Sequence, residues 1–316
     1  MPAQRDRREG MHVTAPLRIG TRGSRLALWQ AHYVRDRLQP LANPRPVELV
    51  EIATSGDIIH DVSLSQLGGQ GVFTKEIQKA LQAEQIDVAV HSLKDLPTLP
   101  VESLTLAAVP ERGPRGDVLV AREVSSFAAL PTSAKVATSS LRRKAQLLHE
   151  RPDLEVVDIR GNVETRLRKL QDQQLDGIIL AEAGLIRLEL SEVITEVLDV
   201  SVMLPAVGQG ALGLECRQDD DSTLSLLRQL NHDETYYSVL SERAFLRTLE
   251  GGCQVPLGAL THVEQSELTL QVVVISPDGK KKLEGSLSGS LPQGAELGEQ
   301  LAQQLLQQGA AELLVS

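Results

Sequence analysis

Apolar residues fall into short runs separated by amphipathic stretches through the first two-thirds of the chain. "PLRIG" (16–20) reads as a strand, and the residues from Ser24 to Gln39 read as a helix. "VELVEIAT" (47–54) predicts a strand, "FTKEIQKALQAE" (73–84) a helix and "IDVAVHS" (86–92) a strand. The rhythm continues through strands at "DVLVA" (117–121), "AKVATSS" (134–140) and "LEVVDI" (154–159), with "LRRKAQLLHE" (141–150) as a helix between the last two. A helix from Val163 to Gln173 then leads to "DGIILAEAG" (176–184). Strand and helix in alternation predict an α/β architecture with mainly parallel sheets. In such sheets ligands bind beyond the carboxyl ends of the strands.

"VPERGPRGD" (109–117) and "LPAVGQGALG" (204–213) interrupt the rhythm with glycine, proline and charge. Two crossings imply that the chain leaves one lobe, builds a second and returns, which makes a cleft. The expected division is a disordered extension at 1–15, a first lobe at 16–110 with 205–230, a second lobe at 116–204, and a third domain at 233–316. That last part reads as α+β: a helix over 234–249, antiparallel strands near 257–263, 267–275 and 281–288, and a helix over 294–309. The turn "SPDG" joins the last two strands.

Composition narrows the function. The 316 residues carry a net charge of −10 with 2% aromatic residues, which disfavours nucleic acid and anionic membranes as partners. No signal-peptide pattern or membrane-length apolar run is present, so a cytoplasmic protein is expected. Arginines nevertheless crowd particular strand ends, which suggests a small anionic ligand held in the cleft. There is no metal-binding spacing, no P-loop and no dinucleotide fingerprint.

Those strand ends hold the candidate chemistry. "GTRGSRLA" (20–27) presents Arg22 and Ser24 at a helix start, suited to a carboxylate or phosphate. "VHSLKDLP" (90–97) places His91, Lys94 and Asp95 together, and Asp95 could stabilise positive charge or move a proton. "ATSSLRRKA" (137–145) offers Ser140 ahead of Arg142 and Arg143, whose charge opposes the helix dipole. "DIRGNVETRLRKL" (158–170) adds Arg160 and Arg166, and "GLIRL" (184–188) adds Arg187. Arginine forks grip carboxylates bidentately, so the ligand should carry several. Of the two cysteines, Cys216 lies in apolar "GALGLECR", whereas Cys253 sits in the permissive loop "LEGGCQVPLGA" (249–259).

Taken together, "TRGSRLALWQ", "GGQGVFTKE", "HSLKDLP", "TSSLRR", "RGNVETRLRKL", "GQGALGLECR" and "LEGGCQVPLGA" resemble the porphobilinogen deaminase family over nearly the whole chain from residue 17. The resemblance implies two periplasmic-binding-protein-like lobes around a cleft and a small C-terminal α+β domain. It implies a monomeric transferase of tetrapyrrole biosynthesis, condensing four porphobilinogen molecules head to tail with loss of ammonia and releasing hydroxymethylbilane by hydrolysis. A dipyrromethane cofactor joined to Cys253 by a thioether acts as primer. Asp95 matches the catalytic aspartate; Lys94, Ser140, Arg142 and Arg143 match cofactor-binding positions. Arg22, Ser24, Phe73, Arg160, Arg166 and Arg187 match substrate-binding positions. The chain departs from the pattern at Gln70, where family members often have lysine. A binding protein of the solute-binding class would account for the arginines and the cleft, though not for Cys253 or the third domain. A Cys/His hydrolase using His91 and Cys253 lacks any oxyanion-hole signature.

Overall fold

The computed structural model describes residues 15–54, 71, 74–249 and 255–315. Residues 1–14, Gln70, Phe73 and Cys253 lie outside the described residues. Two five-stranded sheets share one plan. In the first, β1 (Leu17–Thr21), β2 (Val47–Glu51), β3 (Val88–Ser92), β4 (Leu104–Ala108) and the late strand β10 (Leu212–Arg217) run in the order β2-β1-β3-β10-β4. In the second, β5 (Asp117–Ala121), β6 (Lys135–Ala137), β7 (Glu155–Val157), β8 (Gly177–Ala181) and β9 (Glu196–Val197) run in the order β7-β6-β8-β5-β9.

Four of the five strands in each sheet run the same way, as alternation predicts, and one is reversed, which alternation did not show. β1 pairs in parallel with β2 and β3, but β10 is antiparallel to both β3 and β4. In the second sheet β6 pairs in parallel with β7 and β8, while β5 is antiparallel to β8 and β9. The antiparallel member is in each case the strand that has just crossed between lobes, so it enters from the opposite end.

Helices cover the sheets as their apolar spacing dictates. α1 (Arg25–Ala42) starts at Ser24, whose Oγ accepts from the Ala27 N–H, and buries Ala31, Val34, Leu38 and Ala42 at helical spacing. Complete burial of Val34 and Leu38 contributes roughly 1.5–3 kcal/mol each. α2 (Lys75–Gln82) lies on the other side, packing Ile77 and Leu81 against Ile86 and Ala89. α3 (Leu141–Glu150), α4 (Val163–Asp172) and α5 (Glu182–Arg187) flank the second sheet, and α6 (Asp221–Arg228) follows β10. Cys216, within β10, is completely buried and packs in the first core as a small hydrophobe, its thiol pushed up to about 11 by burial.

The third unit pairs β11 (Leu257–Glu264), β12 (Glu267–Ile275) and β13 (Lys282–Ser290) in an antiparallel meander. α7 (Asp233–Thr248), α8 (Gly294–Gln307) and α9 (Ala310–Val315) close its core around Phe245, Leu270, Val272 and Leu301. A Cβ on Gly298 would stand 2.1 Å from Ser241 O, so α7 and α8 approach as closely as glycine alone permits.

Glu242 of α7, completely buried, ties the three units together. It accepts from Arg112 of the first crossing at 2.7 and 3.0 Å, from Gly208 N of the second at 2.8 Å, and from Thr261 Oγ1 of β11 at 2.8 Å. The crossings also bind each other: Gly113 N donates to Gly210 O, and Gln209 Nε2 donates to Arg115 O. Gly210 has φ +84°, and a Cβ there would meet Pro114 O at 2.5 Å. Replacing Glu242 strands the buried Arg112 guanidinium. Glu242→Ala is therefore expected to lower the unfolding free energy by about 3–5 kcal/mol in urea titrations. A loss below about 1 kcal/mol, the scale of an exposed pair, would show that the junction does not depend on it.

Candidate active site

The carboxyl ends of β1 and β3 open into a cavity lined by Arg22, Ser24, Gln30, Thr74, His91, Ser92 and Asp95, among others. Strand β1 ends in the turn that carries Arg22 and Ser24. β3 ends in a short 3-10 turn, Leu93–Asp95, which presents Lys94 and Asp95 in succession. Leu93 is buried in the core beneath, so the turn is anchored while Asp95 stays exposed. Across the cleft, Arg25 of α1 reaches the second lobe, donating to Leu188 O at 3.2 Å and pairing with Glu164 at 3.6 Å.

From the second lobe come the other cations, and a buried carboxylate that the sequence reading missed. Asp117, the first residue of β5, is completely buried. Arg142 reaches it at 2.8 and 3.1 Å, and Arg143 at 2.7 and 2.8 Å. Burial alone would raise the Asp117 carboxyl, but the two guanidinium groups reverse that and hold it down at about 2. Arg142 NH1 also donates to Leu204 O, and Arg143 NH1 to Ile179 O. Both arginines are thus fixed in the protein, each 5% exposed. One donor remains: Arg142 Nε is buried without a hydrogen-bond partner. Ser140 caps α3, its Oγ accepting from Arg143 N, and so helps to set the arginine's backbone.

The remaining cations gather around this core. Burial pushes the Lys94 ammonium down to about 8; Arg143 and Arg142 add repulsion, against attraction from Asp95 and Asp117. Burial likewise lowers Arg166 to about 10, with Arg143 and Arg160 adding repulsion against Asp158 and Asp95. Arg166 Nε donates to Gly161 O at 2.8 Å, and Arg160 lies 3.6 Å from Asp158. Lys94, Asp95, Arg142, Arg143, Arg160 and Arg166 therefore share one electrostatic neighbourhood. A polycarboxylate would relieve the repulsion among these cations and could use the orphaned Arg142 Nε–H, so the residues fit such a group.

Arg187 does not join them. Its NH2 donates to Gly210 O at 2.6 Å, its guanidinium lies 5.5 Å from the Trp29 ring, and it lines a separate cavity beside the crossings with Trp29 and Tyr33. α5 turns it toward the junction, one cavity away from Asp95. Gln30 of α1 and Ser92 at the end of β3, hydrogen-bonded at 2.8 Å in the Asp95 cavity, were also missed, since a lone polar residue on a helix or strand face gives no sign of what it meets. No cluster of potential metal ligands occurs among the described residues.

Two family models cover most of the chain: the dipyrromethane cofactor binding domain of porphobilinogen deaminase over residues 17–225, and that enzyme's C-terminal domain over residues 236–307. The porphobilinogen deaminase of Syntrophotalea carbinolica is 53% identical across 87% of this chain and 87% of its own length. Those of Shouchella clausii and Geobacter sulfurreducens are 55% and 52% identical, over 84% and 86% of this chain and 86% and 85% of theirs. A periplasmic substrate-binding protein of an ABC transporter from Coxiella burnetii aligns at 15% identity and a TM-score of 0.42, over 72% of this chain and 96% of its own.

The Asp117 pairings have a pH signature. The carboxyl titrates near 3.8 when unfolded and about 2 when folded, so its stabilisation is complete above 3.8 and is lost as pH falls through 2. Unfolding free energies of wild type and Asp117→Asn should differ most near neutrality and converge as pH approaches 2. A gap independent of pH would mean that the carboxylate's charge is not what stabilises the fold.

Proposed function

Because the chain belongs to the porphobilinogen deaminase family, we propose that Asp95 is its catalytic carboxylate and that the surrounding cations hold the carboxylates of primer and substrate. The enzyme is a transferase of tetrapyrrole biosynthesis: it condenses porphobilinogen stepwise, with loss of ammonia, and releases hydroxymethylbilane. The observation that supports the assignment of Asp95 is its position in the turn after β3, lining a cavity on one side and close to a cluster of cations on the other.

Porphobilinogen carries an acetate and a propionate, and departure of its amine leaves a positive charge on the pyrrole. Asp95 accepts the pyrrole N–H and stabilises that charge electrostatically. Arg22 and Ser24, across the same cavity, orient a carboxylate of the incoming molecule. Lys94, Arg142 and Arg143 hold the dipyrromethane, Ser140 supports them, and Arg160 and Arg166 receive the chain as it lengthens. Asp117 keeps the arginine pair in one geometry, so little reorganisation is needed when ligand arrives. When bound, the dipyrromethane supplies a covalent anchor and the ring carbon that attacks. Cys253 and Phe73 enter on their motif positions alone, as attachment point and substrate contact. Arg187, which matches a substrate-binding position, lines the neighbouring cavity beside Gly210 and completes the proposed binding set from there.

We place the division between units at the crossings, with lobes at 16–110 with 205–230 and at 116–204 and a third domain at 233–316, and propose a cytoplasmic monomer. No described helix is long and apolar enough to cross a membrane.

Asp95→Asn should fold with an unchanged melting curve yet lose at least about 100-fold in turnover of porphobilinogen. Near-normal rates in that variant would remove Asp95 from its role. Intact mass of the purified protein should exceed the chain mass by a two-pyrrole adduct, and peptide mapping should place the excess on Cys253. An adduct on any other residue would overturn the attachment, as would a Cys253 that stays unmodified after incubation with porphobilinogen.

A further inference from the structure

One member of the β3 motif has no part in the chemistry so far. His91 lies four residues before Asp95 and is 4% exposed. Its Nε2 stands 3.1 Å from Glu215 Oε2, and Glu215 itself is 5% exposed. The register of β3 and β10 sets Glu215 opposite Ala89, two residues from His91 and hence on the same face of the sheet. From α2, Gln78 Nε2 approaches both oxygens of Glu215 at 3.1 Å. An amide nitrogen only donates, so both oxygens accept. An ionised Glu215 accepts at both oxygens, and His91 Nε2 is then the donor, which leaves Nδ1 as the ring nitrogen that Glu215 does not engage.

Burying an imidazole and a carboxylate at a strand end costs stability that an apolar pair would not. What distinguishes this pair from a core device is its location, because His91 lines the same cavity as Arg22, Ser24 and Asp95. Among the described residues, the charged groups that bond the ring or line its cavity are Glu215 from β10, Asp95 from the turn after β3 and Arg22 from the turn after β1, whereas neutral Gln78 of α2 bonds Glu215 and neutral Gln30 of α1 lines the cavity. A base oriented by a buried carboxylate, at the wall of a site that must dispose of a proton, is the arrangement general-base catalysis requires.

We infer that His91 is a second catalytic residue of the condensation, accepting at Nδ1 the proton lost from the ring carbon where each new bond forms. Porphobilinogen sheds its amine as ammonia, and the new carbon–carbon bond forms at a ring carbon that still bears hydrogen. As that C–H bond breaks, its electron pair returns to the ring and the proton passes to Nδ1. Glu215 balances the imidazolium, which then gives the proton to the released ammonia. Each addition thus liberates one ammonium ion and restores the pair, with no oxidant or reductant involved. The inference rests on the Asp95 cavity being the site of condensation.

The test uses the holoenzyme and porphobilinogen deuterated at its unsubstituted ring carbon. His91→Gln should lower kcat about 100-fold and unmask a primary isotope effect that wild type does not show, since loss of the base makes deprotonation limiting. Glu215→Gln, with His91 in place, should lower kcat less and shift the acidic limb of the kcat–pH profile. A His91→Gln enzyme within about threefold of wild type, or slowed with no change in the isotope effect, would overturn the inference. Long-range 15N correlation spectra of histidine-labelled wild type provide a readout independent of turnover and of how well the variants fold. A proton on Nε2 supports the proposal; one on Nδ1 overturns it. If wild type itself makes no tetrapyrrole, the assignment of the reaction falls as well; if wild type turns over and His91→Gln matches it, only the role of His91 falls.

Discussion

A single carboxylate in a dry interior, Glu242, fixes how the three sheets meet. Its two oxygens receive hydrogen bonds from both crossings and from the third sheet. Such a group is costly to bury, and a set of apolar residues could fill the same volume at less expense. What apolar contacts would not supply is direction. The guanidinium fork of Arg112 and the Gly208 N–H accept only one arrangement around the carboxylate, so the crossings are registered against each other and against α7. The strand ends that carry Arg22, Asp95 and Arg143 meet across one cleft because those crossings hold the lobes in register.

Asp117 repeats the device at the site itself. A buried acid at the start of the crossing strand β5 gathers two adjacent arginines from the first turn of α3. Cations at a helix N-terminus oppose the dipole, and here their partner is a fixed carboxylate from another element. Lys94 and Arg166 stand close to that pair, feeling repulsion from its arginines against attraction from Asp95 and, for Arg166, from Asp158. The described residues thus gather several cations at one end of the cleft, in a chain whose overall charge is −10.

Much of the fold was legible because its helices announce themselves by spacing and its strands by short apolar runs. The bounds of "DVLVA" and "LRRKAQLLHE" agree with β5 and α3 residue for residue. β4 escaped, being an alanine-containing run beside a proline with little β-branched character, and β9 has only two residues. The one reversed strand of each sheet was not legible: alternation shows that strands and helices succeed one another, not from which end a strand enters after a crossing. At the site, Asp95, Lys94 and the arginine pair stood out by type and position. Asp117 did not, because a lone acid closing the loop "VPERGPRGD" looks like solvated charge until the arginines are placed around it. Glu215 was hidden likewise within an apolar strand, and the helix phase that turns Arg187 toward Gly210 is set by packing that the sequence does not display.

The place of β10 bears on the order in which the chain can be assembled as it is made. Every strand of the second sheet lies between residues 117 and 197, so that sheet can close once its own segment has emerged. The first sheet begins at residue 17 but lacks the strand between β3 and β4 until residue 217 has been synthesised. Throughout that interval β3 presents an unpaired, apolar edge, and β4 has no neighbour to pair with. The lobe that begins first is thus completed last, and its exposed edge in the nascent chain is where mispairing or a chaperone would engage.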